Sequence, residues 1–279
     1  MSLTVGDVVQ IVEAMAPFHL AETWDNVGLQ AGRMDWPVRS IWVALDPSPD
    51  VMDAACQAGA DLLITHHPLI FKPLQQVDFS TPEGKVVQWS VQHQTAVFSA
   101  HTNLDSATDG LNDLLARKIG LKRVSVLESR PLLTESDIDS SENNDQPEGL
   151  GRIGELETEM TLAQLAAQIK DDFDLTSIQV AGGLDRPVRK VAVCTGSGGG
   201  LMSAFLASTA DVYVSGDLTY HNGRAVEAVG RGLIDLGHFA SEHLIVDDLA
   251  DRIRQCITPS KEPVTVTACT FEKDPFVRV

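Results

Sequence analysis

PVRSIWVALDPSPDVMDAACQAGADLLITHH, residues 37–67, and PVRKVAVCTGSGGGLMSAFLASTADVYVSGD, residues 187–217, align without a gap at a shift of 150 positions. Pro37, Val38 and Arg39 meet Pro187, Val188 and Arg189, and Ala60-Asp61 meets Ala210-Asp211. Between these anchors each copy carries a short apolar run, a loop, a stretch of helical length and a second apolar run. Residues 41–45 and 191–195 read as strands covered on both faces. Residues 49–58 and 200–207 read as crossing helices, and residues 62–65 and 212–215 as second strands. Two parallel strands joined by a helix make a right-handed βαβ unit.

The pattern continues beyond both stretches. An apolar run at 96–100 ends in His101, with Asp105 four residues on, and a run at 233–236 is followed by His238, with Glu242 four residues on. The separation is now 137, so the first copy carries extra residues, placed within 68–94. Helical spacing of apolar residues adds helices over 5–16, 109–119, 161–170 and 241–253. The expected fold class is α/β: an internally duplicated, two-lobed, three-layer α/β/α protein with mixed, largely parallel sheets. The expected lobes are 1–133 and 150–279, with the last strand and helix able to pack back on the first. TESDIDSSENNDQPEG, residues 134–149, is acidic and almost without apolar side chains, and is expected to be a flexible solvated loop.

The 279 residues carry a formal charge of −18, which disfavours nucleic acid as a partner because phosphate neutralisation needs surplus Lys and Arg. No run approaches the roughly 20 apolar residues that span a bilayer, and no signal-peptide pattern opens the chain. No membrane partner and a cytoplasmic location are the expectation. Cys56, Cys194, Cys256 and Cys269 stand far apart with no C-x-x-C pair, and read as small buried residues rather than as a zinc-thiolate site.

Catalytic groups of open α/β sheets gather at the carboxyl ends of strands. Here LLIT ends in His66-His67-Pro68, AVFSA in His101 and Asp105, LIDL in Gly237, His238 and Glu242, and VYVS in Gly216-Asp217. Successive side chains of an extended segment point to opposite sides, so adjacent histidines can diverge towards two ions, and Pro68 biases His67 to extended geometry. Imidazole and carboxylate suit zinc, iron or manganese. Each residue also has a plainer reading. Asp105 can cap the helix after it, Glu242 can be a first-turn acid beside a helix dipole, and His19, His93 and His221 read as structural. Convergence at strand ends favours two divalent metal ions per subunit, held by His66, His67, Asp105, His238 and Glu242. The glycine run 196–200 follows a strand and precedes a helix, as an anion cradle would, but lacks the Lys-Ser/Thr of a P-loop. An anion cradle and a tight turn both remain open for it.

Together the blocks ETWDNVGL, LLITHHPLIF, SAHTNLD and GHFASEH resemble the family of Nif-three-like dinuclear-metal proteins, whose members commonly bear the name GTP cyclohydrolase 1 type 2 homologue. The resemblance runs from Trp24 to His243, and some relatives carry a large inserted domain where this chain has its acidic stretch. It implies a toroidal homohexamer, a trimer of dimers, with metal pairs facing the interior. It also implies one ion on His67 and Asp105, a second on His66 and His238, and Glu242 bridging both. His101 becomes either a residue standing behind the ligands or a catalytic proton carrier, and Asp25 and Asn26 lie near the pocket. The expected function is metal-dependent hydrolysis of a small nucleotide-like or heterocyclic substrate, GTP ring opening being the named version. A non-enzymatic metal store, metal carrier or oligomeric scaffold is the alternative.

Overall fold

A computed structural model of the chain describes residues 3–129, 148–257 and 263–277. All but the last two residues of the acidic stretch 134–149 lie outside the described residues. The chain forms two compact units, residues 1–104 with 243–273 and residues 105–242 with 274–279.

The first unit holds strands Gly28–Ala31 (β1), Ser40–Ala44 (β2), Leu62–Thr65 (β3), Ala96–Ser99 (β4) and, from the end of the chain, Thr265–Ala268 (β11). Their order in the sheet is β1-β4-β3-β2-β11. β11, β2, β3 and β4 are mutually parallel, and only β1 runs antiparallel, on β4. Helices Val5–Met15 (α1), Pro49–Gln57 (α2) and Pro82–His93 (α3) belong to this unit, and the chain leaves it within Thr102–Ser106 (α4). All four residues of β3 and of β4 are buried, so both faces of the sheet centre are covered.

In the second unit helix Leu111–Ile119 (α5) leads to Lys122–Ser129 (β5), Gly149–Thr161 (β6), Leu162–Asp172 (α6) and Gln179–Ala181 (β7). Then follow Pro187–Ser197 (β8), Met202–Ala207 (α7), Val212–Gly216 (β9), Tyr220–Ala228 (α8), Gly232–Asp235 (β10) and His238–Glu242 (α9). The sheet order is β5-β6-β8-β9-β10-β7, with β8, β9 and β10 parallel and the other three strands antiparallel to their neighbours. Leu244–Ile257 (α10) returns the chain to the first unit. No helix of the described residues is long and apolar enough to cross a membrane.

Duplication is visible in the hydrogen bonds as well as the letters. Asp61 Oδ2 accepts from the backbone N–H of Arg39 and Ser40 at 2.7 and 3.0 Å. Asp211 Oδ2 accepts from Arg189 and Lys190 at 2.9 and 2.8 Å. Each aspartate also gives its N–H back to the first strand and its carbonyl to the third: Asp61 bonds Ser40 O and Ala96 N, Asp211 bonds Lys190 O and Gly232 N. One residue thus sets the relative height of three parallel strands in each copy. The repeat extends further back than residue 37. AGRMDWPVR at 31–39 faces AGGLDRPVR at 181–189, and Gly32 and Gly182 both sit at positive φ, 105° and 104°. A Cβ there would lie 2.8 Å from Ala96 Cβ in one copy and 2.5 Å from Arg231 O in the other, so only glycine lets the antiparallel edge strand close against its neighbour. Thr4 with Asp7 and Thr161 with Gln164 form capping boxes on α1 and α6.

The extra residues of the first copy fall between β3 and β4, where a long loop precedes a helix of 12 residues, against 9 for α8. All four cysteines are unbridged. Cys194 and Cys269 are buried as expected, but Cys56 is only half-buried and Cys256, near the end of α10, is exposed.

Replacing Asp61 or Asp211 with Ala strands two backbone donors. Each change should cost about 1–2 kcal/mol in urea denaturation, with the two costs equal within error. A negligible effect of either would show that the bracket does not set strand height.

Candidate metal centre

His66 and His67 leave β3 with their backbone fixed on every side. Their N–H groups donate to Ala44 O (3.3 Å) and Leu45 O (2.9 Å). Their carbonyls accept from the hydroxyls of Ser99 (2.9 Å) and Thr65 (2.7 Å), both fully buried. The two rings stand 5.2 Å apart, and His101, at the end of β4, lies 5.1 and 5.6 Å from them. Each of the three offers a ring nitrogen within 4.8 Å of the others.

The orientation of each ring is set through Nδ1. His66 Nδ1 lies 2.9 Å from Ala100 O, His67 Nδ1 2.7 Å from Asp46 Oδ1, and His101 Nδ1 2.8 Å from Asp25 Oδ1. A carbonyl accepts only, and so does a carboxylate in its ionised form, so Nδ1 carries the proton and a neutral ring presents the Nε2 lone pair. Metal-binding histidines are commonly oriented in this way. Asp46 is itself placed by Glu272, whose carboxylate takes the N–H groups of Leu45 and Asp46 at 2.9 Å each. Asp25, with its side chain fully buried, takes Asn26 N at 2.8 Å, Thr102 N at 3.0 Å and the Thr102 hydroxyl besides His101. Burial opposes its ionisation, but the bonds from His101 and Thr102 outweigh it and bring the carboxyl to about 2.

In the second unit the acids and His238 gather at the end of β8. Thr195 Oγ1 donates to Asp105 Oδ1 at 3.4 Å, while Asn112 takes Thr195 N at 3.0 Å and gives its amide to Asp105 O at 3.0 Å. Asp105 does not cap the helix after it, since Gly110 holds that position. His238 Nδ1 lies 2.8 Å from Asp217 Oδ2, and its Nε2 2.9 Å from Glu242 Oε2. Two electron-pair donors at that separation need a proton or a cation between them, which is the donor chemistry of a metal site. Burial first, and then the charge of Asp105, push the Cys194 thiol up to about 12, so it stays a neutral neighbour of this group.

Asp46 and Glu272 escaped the reading of the sequence, while Asp217 entered it only as a strand end and Gly196 only as part of the glycine run. Gly196 sits at φ 60°, and a Cβ on it would lie 2.1 Å from Glu242 Oε1 and 3.4 Å from His238 Nε2. A Cβ on Gly198 would lie 2.0 Å from Ser215 Oγ. Close backbone packing therefore accounts for these two members of the glycine run. The run ends in a 3₁₀ turn and a helix of only 6 residues.

A family model described as Duf34/NIF3 (NGG1p interacting factor 3) matches residues 3–275. A Clostridium perfringens protein named GTP cyclohydrolase 1 type 2 homolog is 30% identical over 274 residues, spanning 98% of this chain and 99% of its own. A Streptomyces coelicolor protein of the same name is 36% identical over 241 residues, spanning 85% and 81%. Among solved structures, a Bacillus cereus protein related to NIF3 matches all of both chains at a TM-score of 0.91 and 27% identity.

Two outcomes follow from this geometry. Gly196→Ala forces the Glu242 carboxylate aside, so a divalent cation that used this carboxylate would bind at least about tenfold more weakly; unchanged affinity in a metal titration would count against Glu242 as a ligand. Asp25 has a folded pKa of about 2 against its usual 3.8, so its contribution to stability is complete above 3.8 and is lost as pH falls towards about 2. In acid denaturation of metal-free protein, the stability gap between wild type and Asp25→Asn should close across that window and stay constant above it.

Proposed function

The chain belongs to the Duf34/NIF3 family, and from that membership and its histidine geometry we propose that it is a dinuclear metal-dependent hydrolase of a small nucleotide-like or heterocyclic substrate. The name shared by its relatives, GTP cyclohydrolase 1 type 2 homolog, points to the same class. The observation that carries the reading is the arrangement at Nδ1: His66, His67, His101 and His238 each spend that nitrogen on a protein oxygen. Imidazoles prepared in this way, and buried carboxylates, are donor types that fit zinc, iron or manganese.

In this reading His67 and Asp105 would hold one ion, His66 and His238 the other, and Glu242 would contribute to both. When bound, such a pair supplies Lewis acidity and a source of hydroxide at neutral pH. His101 is the proton carrier. Asp25 keeps a proton on His101 Nδ1, so Nε2 is the atom that takes up and returns a proton at the reacting group. The acidic chain, with a charge of −18, suits a small-molecule partner rather than nucleic acid. A cytoplasmic homohexamer, as the resemblance implies, completes the proposal.

Protein stripped by chelation and titrated back with Zn²⁺, Mn²⁺ or Fe²⁺ should bind two ions per chain, and turnover of GTP, phosphoesters or cyclic amides should follow occupancy. Glu242→Gln should abolish both. His101→Gln should lower kcat about a hundredfold with metal content unchanged. Turnover that survives chelation or Glu242→Gln would end the hydrolase reading. Stoichiometric binding without turnover of any substrate would move the protein to metal storage or delivery.

A further inference from the structure

The most exposed large aromatic side chains near the histidine cluster are Trp24, 58% exposed, and Phe71, 47% exposed. Scattered single hydrophobics on a surface need no explanation, but these two meet each other and the cluster. Their rings lie 5.8 Å apart at 64°, and both stand against His101, Trp24 at 6.3 Å and 76°, Phe71 at 6.4 Å and 80°. His101 in turn contacts His66 and His67. Three rings with steeply inclined planes make a corner rather than a closed stack.

The corner is held by its sequence neighbours. Asp25, next to Trp24, bonds His101 Nδ1 and both Thr102 donors. Asn26 Nδ2 donates to the carbonyl of Ile70, next to Phe71, at 2.6 Å, and Gln30 Oε1 accepts from Ile70 N at 3.1 Å. Gln30 Nε2 closes the loop on Asn26 O at 2.9 Å. The triplet Trp24-Asp25-Asn26 thus supplies one ring, orients the second and anchors the third. Two exposed aromatics on a framework cross-linked in this way are placed in advance, at low ordering cost to any molecule that meets them.

We propose that Trp24 and Phe71 form a stacking subsite for a planar nitrogen heteroaromatic ring of purine or pyrimidine type, presenting the rim of that ring to His101. The subsite deepens the reading of this protein as one that acts on a nucleotide-like molecule, and rests on it for the choice of ring. Indole and phenyl faces stack on any base, because every base has a π-face. A protein segment laid over the same corner would cover His101 and close off the histidines it contacts, which argues for a small ligand. Trp24 and Phe71 are specificity-determining residues in this assignment, and Asn26 is a positioning residue acting through Ile70 and Phe71.

The test uses guanosine 5′-monophosphate against ribose 5-phosphate, which keeps the phosphate and sugar but lacks the base, on metal-loaded full-length protein. Titration calorimetry should show the nucleotide binding at least about tenfold more tightly than the sugar phosphate. Trp24→Ala and Phe71→Ala should each lose about tenfold or more for the nucleotide and leave the sugar phosphate unchanged. Trp24→Phe and Phe71→Tyr should stay within about threefold of wild type. Asn26→Ala should weaken only the nucleotide, a split that a general loss of structure would not produce. Equal affinity for the two ligands overturns the proposal. So does unaltered nucleotide binding in Trp24→Ala, the absence of saturable binding at millimolar nucleotide, or a Trp24→Ala variant that changes only the sedimentation of the assembly. Binding through Trp24 without any turnover would leave the subsite standing and remove the hydrolase. Metal-dependent cleavage indifferent to Trp24 and Phe71 would do the reverse.

Discussion

The tautomer and orientation of an imidazole are set by the partner that one of its two nitrogens finds. Here that work falls to main-chain and carboxylate oxygens: Ala100 O for His66, Asp46 for His67, Asp25 for His101 and Asp217 for His238. The constraint propagates outward. Asp46 can hold its ring only because Glu272, brought back by the last strand, fixes the backbone at Leu45 and Asp46. Asp25 can stay ionised with its side chain buried only because its oxygens are occupied by donors. Orientation of the rings is therefore a property of the folded chain.

The duplicated frame is put to different uses in its two copies. Asp61 and Asp211 bracket their strands in the same way, so the ends of β3 and β9 are equivalent places. At a shift of 150, His66 corresponds to Gly216 and His67 to Asp217. One copy places two ring donors there. The other places a carboxylate that orients His238, preceded by a glycine whose Cβ would lie 2.7 Å from His238 N. His101 and His238 occupy matching positions after the third strand, yet the first is oriented by a residue from before the repeat's strands and the second by its own copy. Duplication supplies the place, and the local residues decide between ligand and support.

What could be read from the letters follows the reach of the interactions. The strand-helix-strand core of each copy was legible because its anchors, Pro-Val-Arg and Ala-Asp, act over about one βαβ unit, and the apolar runs between them are buried on both faces. The donor types were legible because His, Asp and Glu at strand ends have few other reasons to cluster. Their orienting partners were not. Glu272 acts 227 positions from Leu45, and Asp25 acts 76 positions from His101. Short edge strands were also missed: β1 and β7 have 4 and 3 residues, too few for an alternating pattern to emerge. The passage between the two units leaves no compositional trace either, since it falls within α4 and just after α9 rather than in a polar linker.

Close packing and buried acids meet just past the covered strands of each sheet. Strand interiors such as Leu62–Ile64 are apolar and fully covered, with nothing to satisfy but their ladders. Past strand carboxyl ends stand Gly196 at positive φ, glycines without room for a Cβ, and the buried acids Asp105 and Glu242. Each of these weakens a fold taken alone. Their concentration at the ends where ligands gather in open α/β sheets is the pattern left when local stability is traded for a prepared site. His66, His67 and His101 stand one or two positions past β3 and β4, so the regular part of the sheet places these three rings.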